Sequence, residues 1–165
     1  MSDLGFLSPA RATDEAVWRS PLERALAHAP AGIEDVSRTG MLDVRGEVGG
    51  LGDDGFEVVE LTPQRALVLC DFREVPAVRA KLRQQFRSVL DLTAGYAGLR
   101  IQGTTLMHRL TDLDLDDLPA AGALAHVQAI VLRDDEHTFR VFVPQEYGHY
   151  VAEVVVDAAE GVGAR

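Results

Sequence analysis

Two stretches of the chain carry nearly the same text. AGIEDVSRTGMLDVRG, residues 31–46, and RSVLDLTAGYAGLRIQG, residues 87–103, both run from an acid through an aliphatic to a hydroxyl, then alternate apolar residues up to a glycine. Asp35, Val36 and Ser37 match Asp91, Leu92 and Thr93, and one added residue in the second copy brings Leu42, Val44 and Gly46 onto Leu99, Ile101 and Gly103. Apolar residues at period two mark half-buried strands. A chain that writes such a pattern twice builds two similar sheets, each with an apolar face to hide, and two halves can cover one another.

The text after each copy extends the parallel. FEVVEL and RALVLC read as strands separated by the turn residues TPQ. FREVPAVRAKLRQQF then changes period: Val75, Val78, Leu82 and Phe86 recur three or four apart, as on a helix, with Pro76 tolerated in the first turn. After the second copy, TTLMHRLTDLDL reads as a short helix and exit, and ALAHVQAIVL and TFRVFVP as strands joined across RDDEH. In EYGHYVAEVVVDA, Tyr147, Val151, Val154, Val155 and Ala158 form one stripe of a closing helix. Ahead of everything, SPLERALAHA offers Ser20 as N-cap, Pro21 at the first helical position and Glu23 three residues past the cap, predicting a short helix that ends near Pro30. The expected fold is α+β, two duplicated strand-strand-strand-helix halves packed as one compact unit. Residues 1–19 form a flexible arm, 20–160 the domain with pseudo-repeats at 31–86 and 87–160, and 161–165 a tail.

Charge narrows the partners. Twenty-six Asp+Glu against 16 Lys+Arg leaves a formal charge of −10, and Lys81 is the single lysine. Sequence-independent nucleic-acid binding needs a basic footprint that this balance does not supply. No apolar run approaches the ~18 residues of a membrane span, and MSDLGFLSPARATDE does not read as a signal segment, so a cytoplasmic location is expected. Cys70 stands alone, which leaves no intrachain disulfide or thiolate cluster, and its neighbours make it a strand-end core residue.

Candidate chemistry is thin. Asp112, Asp114, Asp116 and Asp117 crowd TDLDLDDL, yet counting a calcium loop from Asp112 puts Asp117 where glycine is needed and Ala123 where a bidentate acid is needed. The cluster reads as a solvated loop anchored by Leu113, Leu115 and Leu118. His28, His108, His126, His137 and His149 form no His-x-x-x-His pair, and His126 falls inside an alternating strand pattern. Ser37 and Thr93 lie in no nucleophile motif, and their hydroxyls are expected to close turns through local backbone bonds. The glycines of RGEVGGLGDDG lack the Lys-Ser/Thr of a phosphate loop, whereas Gly46 and Gly103 suit tight exits from equivalent strands.

The ordered text from residue 20 to about 160 resembles the gamma subunit of heterotetrameric sarcosine oxidase. It is more distantly similar to the first folate-binding domain of the glycine-cleavage aminomethyltransferases. SPLERAL, LDLTAGYAGLRIQG and LTDLDLDDLPAAGALAHVQAIVLRDDEHTFRVFVPQEYGHYVAEVVVDA carry the resemblance. Within them lie Asp91 to Thr93, Leu99 to Gly103, Asp114 and Leu115, Pro119 to Gly122, Val127 to Leu132 and Phe139 to Pro144. The resemblance implies a folate-binding-domain-like fold and an accessory subunit packed on a large flavoprotein alpha subunit, with beta and delta subunits alongside. The complex would oxidise sarcosine, or a related N-methyl amine, to the demethylated product and hydrogen peroxide, with the methyl carbon released as formaldehyde or passed to tetrahydrofolate. FAD, FMN, NAD and tetrahydrofolate would belong to the partner subunits, with no cofactor, metal or catalytic residue in this chain.

Arginine and aromatic side chains favour partner interfaces, which singles out Trp18, Phe72, Arg73, Arg79, Arg83, Arg87, Tyr96, Tyr147 and Tyr150 as interface candidates. Two rival readings stand beside this one. A stand-alone folate-binding or methyl-transfer protein needs a ligand cavity and a carboxylate for the pterin; a self-associating acidic module needs a symmetric interface.

Overall fold

The computed structural model describes residues 19–52 and 55–163. Among them the chain forms β1 (Ile33–Asp35), β2 (Thr39–Arg45), β3 (Glu57–Thr62), β4 (Arg65–Asp71), α1 (Val75–Leu82), β5 (Ser88–Asp91) and β6 (Tyr96–Gln102). There follow α2 (Thr104–Leu110), β7 (Ala120–Leu124), β8 (Val127–Arg133), β9 (Thr138–Pro144) and α3 (Gly148–Gly163). The strands make two antiparallel sheets, ordered β3-β4-β2-β5 and β1-β6-β9-β8-β7.

Four layers result, because successive residues of a strand point to opposite faces. Leu42, Val44, Ala66 and Val68 go outward from the first sheet to Val75 and Leu82 of α1. Met41, Leu67 and Leu69 go inward and meet Ile130, Leu132 and Phe142 of the second sheet. The far face of that sheet, Leu99, Ile101, Phe139 and Val141 among others, packs under α2 and α3 with Leu22, Met107, Val151 and Val155. Both sheets are thus covered on two faces, which explains the apolar density of β2, β4, β8 and β9.

The two sheets share a strand order once each is read from the edge strand that the other copy supplies. In the first, β5 lies beside β2, then β4 and β3; in the second, β1 lies beside β6, then β9 and β8. Each copy of the repeated text therefore lends its leading strand to the other sheet. β1 pairs with β6, Ile33 opposite Ile101, and β5 pairs with β2, Val89 opposite Val44. Beyond each short strand the pairing continues by one backbone bond: Val36 N–H donates to the Gly98 carbonyl and Leu92 N–H to the Met41 carbonyl, both at 2.9 Å. Gly46 and Gly103, which end β2 and β6, have φ of 138° and 119°, a region glycine enters readily.

Two local expectations are revised. Residues 21–28 form successive turns instead of a helix. Leu22 is fully buried, the Ser20 hydroxyl donates to the Asp35 carboxylate while accepting from Leu22 N–H, and Leu26 N–H to the Leu22 carbonyl is the one i→i−4 bond of the segment. So short a stretch, ended by Pro30, does not recover the cost of helix nucleation once its cap is committed to β1. ALAHVQAIVL is not one strand but the hairpin β7–β8, turning at Ala125 and His126 with Leu124 opposite Val127. His126 is a turn residue. Both turn residues have positive φ, 47° and 65°, the geometry of a two-residue hairpin loop that Asn-Gly usually announces.

Candidate functional site

Ser37 and Thr93 fasten the exchanged strands. Gly98 N–H donates to Ser37 Oγ at 3.0 Å, and Met41 N–H donates to Thr93 Oγ1 at 3.0 Å, across 61 and 52 residues. The local turn bonds expected of these hydroxyls are made instead by the neighbouring acids: Asp35 Oδ1 accepts from Ser37 N–H and Asp91 Oδ1 from Thr93 N–H, at 2.9 and 3.0 Å. The acid closes the turn, which frees the hydroxyl to reach the other copy's strand. Ser37 is 7% exposed, a structural position closed to a substrate.

Between the sheets the apolar layer ends in charge. Arg140 reaches from β9 to Glu57 of β3 at 2.7 Å and holds Asp134 at 2.6 Å, while Arg100 sits 3.3 Å from Asp134 and 3.6 Å from Glu34. Burial works against the Arg140 charge, but its bonds to Glu57 and Asp134 outweigh that and the guanidinium holds its proton more tightly than usual. Toward the end of β2, on the face that Met41 shares, buried Asp43 accepts from Arg65 Nε at 2.8 Å and Arg45 Nε at 3.1 Å. The sequence reading passed over both groups, although each shows as a charged residue on the core parity of its strand: Asp43 follows Met41, and Arg140 precedes Phe142.

The interface candidates divide between opposite outer layers. Phe72, 37% exposed, lies at the entrance to α1 with the Arg38 guanidinium 5.9 Å from its ring centre. Arg73, Arg83 and Arg87 are exposed and Arg79 half-buried around the same helix. Arg79 Nε is buried without a hydrogen-bond acceptor among the described residues. Tyr147 and Tyr150, 49% and 45% exposed, stand at the start of α3 on the far side of the molecule. Tyr96 is half-buried against the layer between the sheets, and Trp18 lies outside the described residues.

Several of the remaining titratable groups have structural partners, whereas His28 and His108 are exposed on the surface. Asp114 accepts from Asp116 N–H at 3.0 Å, and Asp116 lies 3.5 Å from Arg133. His149 pairs with Glu153 one turn on, at 3.2 Å, and His137 Nδ1 is 3.2 Å from Thr104 Oγ1. Burial first, then the charges of Glu74, Asp71 and Asp91, push the Cys70 thiol above its ordinary pKa, the opposite of an activated nucleophile. Asp135 is held below the usual carboxylate range by the backbone N–H of His137 and the Thr138 hydroxyl. Among the described residues no three His, Cys, Asp or Glu side chains are grouped to hold a metal ion. A groove of about 530 Å³ between the start of α2 and the end of α3 is lined by Ile33, Leu106, Ala159 and Val162, with Gln102 and His137 at its rim. Thr104 and His137 form a hydroxyl–imidazole pair at this rim, with Glu136 3.9 Å from the other ring nitrogen, and His137 and Glu136 stand open to solvent.

No protein-family model and no curated protein matches the chain. Solved structures do, among them the following two. A chain of heterotetrameric sarcosine oxidase from Corynebacterium sp. U-96, in complex with pyrrole 2-carboxylate, superposes with a TM-score of 0.74 at 21% identity, covering 91% of this chain and 98% of that one. Glycine cleavage system aminomethyltransferase T from Bartonella henselae superposes with a TM-score of 0.55 at 17% identity, covering 84% of this chain. The match takes in 51% of the aminomethyltransferase, so this chain corresponds to about half of that protein. At these identities the likeness is one of fold: an α+β architecture of two antiparallel sheets with covering helices.

Proposed function

We propose that this chain is an accessory subunit of a flavin-dependent, multi-subunit oxidase that demethylates sarcosine or a related N-methyl amine. The observation that carries this reading is the completeness of the match, 91% of this chain against 98% of a chain from a heterotetrameric enzyme at a TM-score of 0.74. Likeness to one domain of a larger chain would leave much of that chain uncovered, as the aminomethyltransferase match leaves about half. Asp35, Ser37 and Asp134, taken up in a turn, a seam and an ion pair, are in keeping with a supporting role.

On this reading the partners are a large flavoprotein alpha subunit with beta and delta subunits. FAD, FMN, NAD and tetrahydrofolate reside in those chains, and the assembly works in the cytoplasm. No helix of the described residues is long and apolar enough to cross a membrane. The exchanged leading strands support duplication of one folate-binding-domain-like half into units at about 31–86 and 87–160; α3 runs to Gly163, into the tail expected over 161–165, and all but the last residue of the arm expected over 1–19 lies outside the described residues.

Co-expression of the tagged chain with the large flavoprotein encoded beside it, followed by size exclusion, mass determination and flavin absorbance, tests the proposal. A co-eluting yellow complex that forms hydrogen peroxide from sarcosine or another N-methyl amine is expected. A colourless chain that never associates would sink it, and saturable binding of tetrahydrofolate to the isolated chain would favour a stand-alone folate protein instead.

A further inference from the structure

We infer that the outward side of α1 and the stretch leading from it into β5 form a docking face for an acidic surface of a larger protein subunit. The inference rests on the accessory-subunit reading and says which face that subunit covers. Its basis is how differently the arginines are used in the two parts of the chain. On the strands Arg45, Arg65, Arg100, Arg133 and Arg140 each lie within ion-pair distance of a carboxylate. Around α1 the side chains of Arg73, Arg79, Arg83 and Arg87 pair with no described carboxylate.

The cause is local sequence. Between Val75 and Leu90 there are four basic residues and no acid, in a chain whose net charge is −10. The last turn of α1 carries Arg79 and Lys81, and Arg83 and Arg87 continue the basic side beyond it. Guanidinium forks suit carboxylates bidentately, and fixed charge acts over only about 8 Å at physiological salt. The local excess of positive charge therefore governs a contact made here, whatever the whole molecule carries.

Apolar contact is present as well. Phe72 is 37% exposed at the entrance to α1, and Leu90 is 53% exposed on β5, the outer strand of its sheet. A few exposed apolar side chains among arginines match the composition of protein interfaces. Buried Arg79 Nε lacks an acceptor among the described residues, as Arg100 Nε on β6 does, but Arg100 has Asp134 within ion-pair distance and Arg79 has no described carboxylate; the arrangement costs stability, and re-aiming toward an incoming carboxylate relieves it. Two copies docked symmetrically through this face would set arginine against arginine, and exposed Phe72 and Leu90 suit a protein surface better than a phosphate backbone, so a different protein with a local acidic patch is the occupant.

The test is binding of the full chain to the large flavoprotein at low and high salt, comparing wild type with R79E/R83E/R87E. R24E/R109E, changed on exposed arginines outside the α1 layer, is the control. Reversal is expected to weaken binding by about a hundredfold or more and to abolish the salt dependence, with the control within about twofold of wild type. Circular dichroism checks folding, and the milder R83Q/R87Q, at two exposed positions, keeps the question open to measurement if the triple variant does not fold; it should weaken binding about tenfold. Wild-type affinity and salt dependence in the reversed variants would overturn the docking face while leaving the accessory role intact. Failure of the wild-type chain to bind would remove the accessory role and the face with it. A self-dimer that the reversal dissolves would assign the face to a second copy and overturn the inference.

Discussion

Replacing Ser37 with alanine is the most direct probe of how the two sheets are joined. The hydroxyl accepts the Gly98 N–H at 3.0 Å, and Ser37 is only 7% exposed, so water cannot take its place freely. β1 has already ended at Asp35, and Gly98 N–H points to the side where it would have continued. Alanine thus strands a buried donor, at a cost of about 1–3 kcal/mol. Thr93→Val does the same to Met41 N–H, bonded at 3.0 Å to Thr93 Oγ1, with Met41 only 1% exposed. For a chain of this size each kcal/mol lowers the melting temperature by about 2–4 °C. Urea denaturation measures the loss, and amide hydrogen exchange localises it: Gly98 should lose protection in S37A and Met41 in T93V, while S37T keeps both stability and protection. If both variants melt within about 0.5 kcal/mol of wild type with those amides still protected, the hydroxyls do not hold the exchanged strands and the account of the seam fails.

Three further outcomes follow from named contacts. A Cβ on Gly98 would lie 2.9 Å from the Phe142 ring and 3.0 Å from the Val36 carbonyl oxygen, so Gly98→Ala should destabilise by about 1–3 kcal/mol, whereas Gly95→Ala, with nothing within 4 Å, should be neutral or slightly stabilising in the same melt. Ala125→Asn with His126→Gly supplies the residues that the left-handed turn prefers and should raise stability by about 1 kcal/mol; a drop in melting temperature would contradict the two-residue turn. Asp135 has a folded pKa below its unfolded value of about 3.9, so its contribution to stability is present above that pH and is lost as pH falls through the lowered folded pKa. Asp135→Asn should flatten that part of the acid limb, and a carboxyl resonance titrating at the ordinary value would remove the effect.

Each strand of the repeated text was legible because alternation needs only local residues. The α1 stripe of Val75 and Leu82 and the α3 stripe of Val151 and Val155 were legible for the same reason. The β7–β8 hairpin was hidden, since Ala125 and His126 carry no turn signal and hold positive φ only because the flanking strands pair. The turns at 21–28 were misread as a helix because capping chemistry is local, while the Ser20–Asp35 bond that redirects the cap is not. The interface candidates were chosen by residue type alone, which is why the structure separates the arginines around α1 from Tyr147 and Tyr150 on the opposite layer.

Residue order alone determined that this chain builds strands twice in the same rhythm, that α1 and α3 present one apolar stripe each, and that its net charge is strongly negative. These depend on side-chain periodicity and composition, which any neighbouring fold leaves unchanged. Which sheet each leading strand joins was decided only in three dimensions. Ile33–Asp35 and Ser88–Asp91 could satisfy their backbone groups on either sheet, and the crossed pairing is selected where Ser37 meets Gly98 and Thr93 meets Met41, partners more than fifty residues away. A hydrogen bond between such distant groups leaves no periodic trace in the chain, because its geometry exists only after both sheets have formed.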